Sequence, residues 1–351
     1  PDGSPWRALI EQFFLRTGTP MVLSTSLNVQ EPIVETPAQA LRLVESCGLD
    51  ALLLDDMLVV AKGEPQLSAA PAAALRFEPT QDRFGLRLAL VFGNEAKDGG
   101  CPFYRRNECS HCDIGAGEGQ AVTAADHAQR WAWFAHHYRR ELPQVGHLVL
   151  YNSGSVLSPK EMSPSALCAI CDEVAKLPQV RMLSLDSREL FVRKERLWEL
   201  RSRLPGHVAL RVILGLESAD EEVRLIYLNK RMPTEAVEQA AAELAASGDN
   251  VGLWLSLVFA PPGRREQAAV ADLLEGIRFG VALAQRHRLP LDFNIHPFYP
   301  SQRSLRAHPD HPRAELRWLD SALALARAEL VALGSDASLF VGWQDEQHDQ
   351  R

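Results

Sequence analysis

The sequence predicts an α/β fold, a partial (β/α)6 TIM-like barrel with an N-terminal α+β extension. From residue 86 onward, six short apolar runs alternate with amphipathic helical segments, which is typical of a parallel sheet covered by helices. Right-handed crossovers wind such units in one direction, and six units suit an open barrel better than a closed barrel of eight. Residues 1–85 do not follow this alternation.

The apolar runs predict six strands. They span residues 86–92, 147–151, 181–185, 208–214, 251–259 and 291–296. Segments of helical periodicity lie between these strands and after the last one. They lie near residues 122–141, 163–176, 191–203, 220–245, 264–287 and 313–333.

The N-terminal part has its own pattern of elements. We predict helices over residues 5–17 and 37–47, and one or two strands over residues 51–61. The predicted division of the chain is an N-terminal extension at 1–85, the barrel at 86–300, and a C-terminal helix and tail packing on the barrel at 301–351.

The composition fits a globular protein with a substantial core, since 46% of the 351 residues are hydrophobic. The formal net charge of −8 lowers the expectation of a nucleic-acid partner, because proteins that neutralise many phosphates present a basic face. No run approaches the ~20 apolar residues of a membrane span. Residues 1–16 also lack the pattern of a signal peptide. We therefore expect a cytoplasmic protein without a membrane partner.

Three of the six cysteines lie in one loop. Cys101, Cys109 and Cys112 follow the first predicted strand, and catalytic groups of barrels lie at such strand ends. Three thiolates leave one coordination position open, as metal chemistry requires. On the loop alone, two interpretations stay open. One is a [4Fe–4S] cluster whose unique iron binds the amino and carboxylate groups of S-adenosylmethionine (SAM); the other is a zinc site with His111 as its fourth ligand.

The remaining cysteines are predicted to be buried free thiols. Cys168 and Cys171 are spaced to share one face of a predicted helix with apolar surroundings. A ligand set for an auxiliary cluster, completed by Cys47, is the alternative. Disulfides are not expected in a chain of this size without a signal peptide.

Three segments together resemble the radical SAM superfamily. They are the cysteine loop, residues 151–157 (Tyr-Asn-Ser-Gly-Ser-Val-Leu), and residues 214–218 (Leu-Gly-Leu-Glu-Ser) followed by 228–230 (Leu-Asn-Lys). The resemblance covers roughly residues 86–300 and is nearest to the elongator-type branch of tRNA-modifying enzymes, in particular the radical SAM partner proteins of archaeosine synthase. It implies a [4Fe–4S] cluster held by the three loop cysteines, with SAM as the second cofactor.

The chain departs from the superfamily pattern at three points. The cysteine spacing is CxxxxxxxCxxC rather than CxxxCxxC, and the longer gap fits the elongator-type branch. Asp186 stands where relatives tend to carry Glu, so its carboxylate reaches about one bond less far. Arg231 replaces the Gly that usually follows the Asn-Lys pair.

The resemblance also implies SAM contacts at the strand ends. His111 would border the adenine, and the carboxylate of Asp186 would hold the ribose hydroxyls or the ammonium. Arg188 is assigned to the same SAM site. Glu217 would meet the ribose or sulfonium, with Lys230 on the carboxylate of SAM. The residues matching the methionine-amino subsite are Asn152, Ser153, Gly154 and Ser155. The structural alternatives are a loop histidine, a solvated ion pair, a helix start and an ordinary strand–helix turn.

Asn294 and His296 end the sixth predicted strand. Because active sites of barrels lie at the C-terminal ends of the strands, we expect these residues to face the substrate. We predict a catalytic role for them, in substrate binding or proton transfer; a structural histidine is the alternative for His296.

The function implied by the resemblance is reductive cleavage of SAM to methionine and a 5′-deoxyadenosyl radical, followed by hydrogen abstraction from a substrate. We predict a small-molecule substrate and a lyase, rearrangement or oxidation reaction, with a flavodoxin- or ferredoxin-like electron donor. Modification of a tRNA base is one alternative. A non-catalytic zinc-binding α/β module is another.

Overall fold

The computed structural model describes residues 5–17, 19, 21, 36, 39–40, 51–54, 57–60, 80–112, 121–298, 302–311, 314 and 316–342. The chain divides into two compact units, Pro1–Ala72 and Ala73–Arg351. In the first unit, helix α1 spans Pro5–Thr17, and strands β1 (Ala51–Leu54) and β2 (Met57–Val60) pair antiparallel. These elements confirm the predicted first helix and strands. The predicted helix over residues 37–47 lies outside the described residues except for 39–40.

The second unit contains one eight-stranded sheet whose strands neighbour one another in chain order. The strands are β3 (Thr80–Asp82), β4 (Gly85–Val91), β5 (Val145–Tyr151), β6 (Met182–Ser187), β7 (Ala209–Glu217), β8 (Val251–Phe259), β9 (Leu291–Pro297) and β10 (Leu339–Val341). Strands β4 to β10 are parallel, and β3 is antiparallel to β4. The six predicted strands and the barrel-like α/β fold are confirmed; the short edge strands β3 and β10 were not predicted.

Helices follow the parallel strands along the chain. They are α2 (Pro102–Arg105), α3 (Ala124–His137), α4 (Pro164–Val174), α5 (Lys194–Arg203), α6 (Thr234–Ala245), α7 (Glu266–His287), α8 (Gln302–Ala307) and α9 (Leu316–Ala332). Helix α9 packs against α7. None of the described helices combines the length and apolar character needed to cross a membrane.

The prediction of one helix over residues 220–245 was wrong. The structure has a π-helical turn at Val223–Tyr227 and starts α6 only at Thr234. Pro233 explains the interruption, because proline lacks an N–H donor and disfavours helical conformation in the preceding residue. The segment between the two helices becomes part of the candidate site.

The face of the sheet that is covered by helices carries a large apolar cluster. The opposite face, inside the barrel, carries a smaller cluster together with buried polar groups. Alternate strand residues point to opposite faces, so Leu88 and Leu90 pack beneath the helices while Ala89 lies in a separate interior cluster with Val149 and Trp254. The interior also contains buried polar groups. His147 Nδ1 lies 2.5 Å from Asp82 Oδ2, and its Nε2 lies 2.7 Å from Ser184 Oγ.

Contacts between the two edge regions of the sheet accompany its curvature into a nearly closed barrel. Arg83 in the β3–β4 turn forms a 2.7 Å ion pair with Asp292 of β9 and donates a 3.1 Å hydrogen bond to the carbonyl of Asp336. The Arg87 guanidinium of β4 lies 4.3 Å from the ring centroid of Phe340 in β10. The parallel strands therefore present their C-terminal ends around one rim.

Candidate active site

The cysteine loop follows β4 and is joined to the loop after β7. The backbone N–H of Cys109 donates to the carbonyl of Asn229 at 3.0 Å, and that of Ser110 donates to Leu228 at 2.9 Å. Cys101 precedes α2, and Cys112 N–H donates to the carbonyl of Cys109 at 3.1 Å. All three cysteines lie outside any disulfide and are partly exposed. Two distant segments thus fix the loop that carries the predicted ligands.

The three thiols match the donor set of an iron–sulfur cluster with one open corner. Within the described ranges, no group of three or more His, Cys, Asp or Glu side chains could hold a single metal ion. His111, which the zinc alternative uses as a ligand, has its Nε2 3.5 Å from Glu217 Oε1. Burial raises the pKa of the Cys101 thiol above its usual value.

Glu217 and Lys230 form a buried ion pair in the centre of the site. Lys230 Nζ lies 2.5 Å from Glu217 Oε1. Burial opposes ionisation of Glu217, but the Lys230 ammonium and the His111 hydrogen bond hold its pKa below the usual range. A Cβ at Gly215 would lie 2.5 Å from Glu217 Oε1 and 2.7 Å from Lys230 Nζ, so a side chain there would displace the pair. Glu217 also has a positive φ of 67°, a strained conformation for a non-glycine residue.

Arg188 is held by protein groups around its guanidinium. Its Nε and Nη2 donate to the Glu189 carboxylate at 2.8 and 3.2 Å, and Nη2 also donates to the Lys230 carbonyl at 2.8 Å. Nη1 lies 3.4 Å from Cys109 Sγ. The guanidinium carbon lies 4.3 Å from the ring centroid of Phe103. Burial lowers the pKa of Arg188, but Glu189 outweighs this and raises it.

The segment after β5 surrounds a buried carboxylate that the sequence analysis missed. Glu161 Oε2 accepts hydrogen bonds from the Ser155 N–H at 3.0 Å and from Asn94 Nδ2 at 3.1 Å. A Cβ at Gly154 would lie 2.0 Å from Glu161 Oε2, so glycine permits this approach. Burial raises the pKa of Glu161. Glu161 Oε1 and Asn152 Oδ1 are buried acceptors without a hydrogen-bond partner in the described part of the chain.

Two further predicted residues support this segment. Ser153 is buried and has a positive φ of 61°. Ser155 Oγ accepts a hydrogen bond from the Arg188 N–H at 3.2 Å, which connects the ends of β5 and β6. Glu161 follows Ser158-Pro159, a pattern typical of an exposed turn, so no local signal indicates its burial.

Asp186 is the penultimate residue of β6 and is partly exposed when the whole residue is considered. Burial of its carboxyl raises the pKa to about 7; the nearby Lys230 charge lowers it and the Glu217 charge raises it again. The His296 charge also acts on this carboxyl, so β9 contributes to the same electrostatic environment. Asp186 is thus a carboxyl that exchanges a proton near neutral pH.

Asn294 and His296 lie on β9 beside the end of β10. His296 Nδ1 is 3.2 Å from the carbonyl oxygen of Gly342. A Cβ at Gly342 would approach His296 Cε1 to 2.5 Å and Asn294 Oδ1 to 2.9 Å. Asn294 is buried, and its Oδ1 has no hydrogen-bond partner among the described residues. Their catalytic role stays a prediction.

Cys168 and Cys171 lie on α4, in the layer between the helices and the sheet. Cys168 Sγ is 3.4 Å from both Glu199 Oε1 and Arg196 Nη1. Burial raises the pKa of Cys171 to about 12, so its thiol stays protonated.

Parts of this chain are similar in sequence to known proteins. A family model described as the carbamoyltransferase C-terminus matches residues 2–61, within the first unit. A curated relative, an uncharacterized protein from Methanocaldococcus jannaschii, is 26% identical over 194 residues, which are 54% of this chain and 50% of that protein. The chain therefore spans about half the length of the curated relative it matches.

Two solved structures are also similar. A queuine lyase from Clostridium spiroforme, bound to SAM and queuine, has a TM-score of 0.45 and 16% identity, covering 76% of this chain and 96% of that chain. The radical S-adenosylmethionine methyltransferase TsrM from Kitasatospora setae, with tryptophan and a SAM analog bound, has a TM-score of 0.38 and 14% identity, covering 61% of this chain and 36% of that chain.

Proposed function

We propose that this chain is a radical SAM enzyme in which Cys101, Cys109 and Cys112 hold a [4Fe–4S] cluster. The observation that supports this most directly is the pairing of the cysteine loop with the loop after β7, through the Cys109 N–H and the Asn229 carbonyl. This pairing brings the ligand loop against a set of buried charged groups at the C-terminal rim of the barrel. Catalytic groups of barrel enzymes lie at that rim.

The residues present also fit SAM. Glu161 Oε1 and Asn152 Oδ1 are buried acceptors without partners in the described region, and an ammonium group supplies the donors that they need. The close approach that Gly154 permits keeps the Glu161 carboxylate against this position. We therefore propose that Glu161 joins residues 152–155 in holding the methionine amino group.

When bound, the cluster and SAM supply reductive cleavage to methionine and a 5′-deoxyadenosyl radical for hydrogen abstraction. The chain orients them and adds acid–base capacity. Lys230 keeps Glu217 ionised, so a carboxylate is available for the ribose or the sulfonium. Asp186, with its pKa raised to about 7, can hold or release a proton in the site at neutral pH.

We propose a small-molecule substrate and a lyase, rearrangement or oxidation reaction. Cys168 and Cys171 pack between helices and sheet and so offer no second cluster near the rim, which argues against sulfur insertion. The net charge of −8 argues against tRNA, the alternative from the family resemblance. A filter-binding measurement with tRNA over a range of salt concentrations tests that alternative.

A flavodoxin- or ferredoxin-like protein is the proposed electron donor. Beside the cysteine loop lies a cleft of about 730 Å³. Its lining includes Arg105, Arg303 and Arg306. An acidic redox protein complements this positive charge. The Arg306→Glu variant should therefore raise the KM for the donor and leave dithionite-driven turnover unchanged.

Anaerobic reconstitution tests the proposed function directly. We expect about four irons and four sulfides per chain, a visible band that bleaches with dithionite, and 5′-deoxyadenosine from SAM. Stoichiometric zinc without 5′-deoxyadenosine would instead support the zinc-binding module.

A further inference from the structure

We infer that Arg188 sets the reduction potential of the cluster through its contact with the sulfur of Cys109, and does not bind SAM. This inference rests on the proposed function, because it requires the cluster. The Arg188 contact is Nη1 to Cys109 Sγ at 3.4 Å. This inference differs from what the family resemblance implies, namely that Arg188 is a SAM-binding residue.

Most N–H donors of the Arg188 guanidinium already contact other groups of the chain. A guanidinium has five N–H groups, and four of them are used here. Nε and one Nη2 hydrogen bind Glu189, the second Nη2 hydrogen binds the Lys230 carbonyl, and one Nη1 hydrogen faces Cys109. The Phe103 ring covers one face of the guanidinium at 4.3 Å. Binding a carboxylate of SAM in the bidentate manner would require breaking this arrangement.

A cation beside a cluster ligand acts on the reduction potential. Reduction adds one electron to the cluster and its thiolates, so a positive charge and a hydrogen bond on a ligand sulfur stabilise the reduced form more than the oxidised form. The effect is strong where water is excluded, and Arg188 is only 9% exposed. Glu189 opposes it, because its carboxylate lies against the same guanidinium.

The two side chains therefore predict shifts of opposite sign. The Arg188→Gln variant removes the cation, so the midpoint potential should become more negative. We expect about a tenfold lower ratio of reduced to oxidised cluster at a fixed potential, which corresponds to about 59 mV for a one-electron couple. The Glu189→Gln variant removes the opposing carboxylate, so its midpoint potential should become more positive.

The experiment is a redox titration of the SAM-free reconstituted chain, followed by the electron paramagnetic resonance signal of the reduced cluster. Iron content and circular dichroism show whether each variant holds the cluster and folds. SAM affinity is measured separately, and we expect it to change less than threefold in Arg188→Gln. If the Arg188→Gln variant does not hold the cluster, the inference is tested by the Glu189→Gln variant alone, through the sign of the change in its midpoint potential.

Arg196 offers a matched control, because its Nη1 lies 3.4 Å from the sulfur of Cys168, which is not a proposed ligand. Arg196→Gln should leave the potential unchanged. The inference is overturned if Arg188→Gln keeps the wild-type potential, if Glu189→Gln shifts the potential negatively or not at all, or if Arg188→Gln loses SAM affinity more than tenfold at an unchanged potential. Absence of any cluster in the wild-type chain would instead refute the proposed function.

Discussion

The ammonium of Lys230 lies 2.5 Å from the carboxylate of Glu217, and both side chains are buried at the end of β7. Neither charge is stable there without the other, because burial withdraws each from water. The pair joins the strand to the loop that holds the cysteine segment, so it connects the fold of the barrel to the candidate cluster site.

Removing one partner of this pair should destabilise the chain strongly. We expect Lys230→Met to lower the free energy of unfolding by about 3–5 kcal/mol, because Glu217 is left as an uncompensated buried charge. The double variant Glu217→Gln/Lys230→Met should recover much of this loss. Urea denaturation measures both values.

The exposed pair of Lys176 and Glu173, also at 2.5 Å, is the matched control. Lys176→Met should cost less than about 1 kcal/mol, because solvent screens that pair. Equal losses in Lys230→Met and Lys176→Met would contradict the role given to burial.

The three loop cysteines should behave differently from the two cysteines of α4. Replacing Cys101, Cys109 or Cys112 singly with alanine should abolish the proposed four-iron centre, because each thiolate would hold a different iron. Cys168→Ala and Cys171→Ala should retain it, since these thiols pack between helices and sheet. Iron and sulfide analysis after anaerobic reconstitution makes the comparison. A loop variant that keeps four irons would exclude that cysteine as a ligand.

Gly154 should be necessary for SAM binding, through Glu161. An added Cβ would come within 2.0 Å of Glu161 Oε2 and 2.8 Å of Asn94 Nδ2, so the carboxylate must move. We expect Gly154→Ala to weaken SAM affinity of the reconstituted chain at least tenfold, measured by equilibrium dialysis. A Cβ at Gly206 would meet no atom within 4 Å, so Gly206→Ala should leave the affinity unchanged. Equal SAM affinities in Gly154→Ala and Gly206→Ala would contradict the proposal that Glu161 contributes to SAM binding.

Much of the barrel could be predicted from sequence because its central strands are buried on both faces. All nine residues of β8 are buried, and all but Ser256 are apolar or glycine, so the strand is visible in the sequence alone. Strands β3 and β10 have three residues each and lie at the sheet edges, so they are too short to produce a periodic signal. The loop of residues 228–233 was hidden within a pattern that favours helix.

The site was partly predictable for a similar reason. The spacing of the loop cysteines is a local signal, so their candidacy was visible in the sequence. Glu161 is recognised only by its contacts, and its hydrogen-bond partner Asn94 lies 67 residues away. Arg188 likewise contacts Cys109, which is 79 residues away in the chain, and Lys230, which is 42 residues away. Such pairings follow from the fold and carry no local pattern.

Ser184 should stabilise the barrel through His147. The imidazole is fully buried between Asp82 and Ser184, with Nε2 2.7 Å from Ser184 Oγ. Ser184→Ala leaves this nitrogen without its partner, and we expect a loss of about 1–3 kcal/mol in urea denaturation. Ser202, whose hydroxyl donates to the Glu199 carbonyl at an exposed position, is the control. Ser202→Ala should change stability by less than about 0.5 kcal/mol. Similar losses in both would argue against a stabilising role for the buried contact.

Asp186 should make stability fall as pH rises toward neutrality. Its pKa is about 7 in the fold and 3.8 in the unfolded chain. Between these values the unfolded chain releases its proton first, so the free energy of unfolding declines with pH. The full effect is up to about 4 kcal/mol, from roughly three pKa units at 1.36 kcal/mol each. Asp186→Asn removes this term, so the variant should gain stability relative to wild type as pH rises from 4 to 8.

Urea denaturation at several pH values checks this, and the wild-type-minus-variant difference isolates the one carboxyl. Asp272 gives a useful comparison, because burial raises its pKa to about 6. The relative gain of Asp272→Asn should therefore level off near pH 6, whereas that of Asp186→Asn should continue to about pH 7. A difference between wild type and Asp186→Asn that stays constant from pH 5 to 8 would mean that this carboxyl is already ionised in the fold. It would then act in the site as a fixed negative charge and not as a group that exchanges protons.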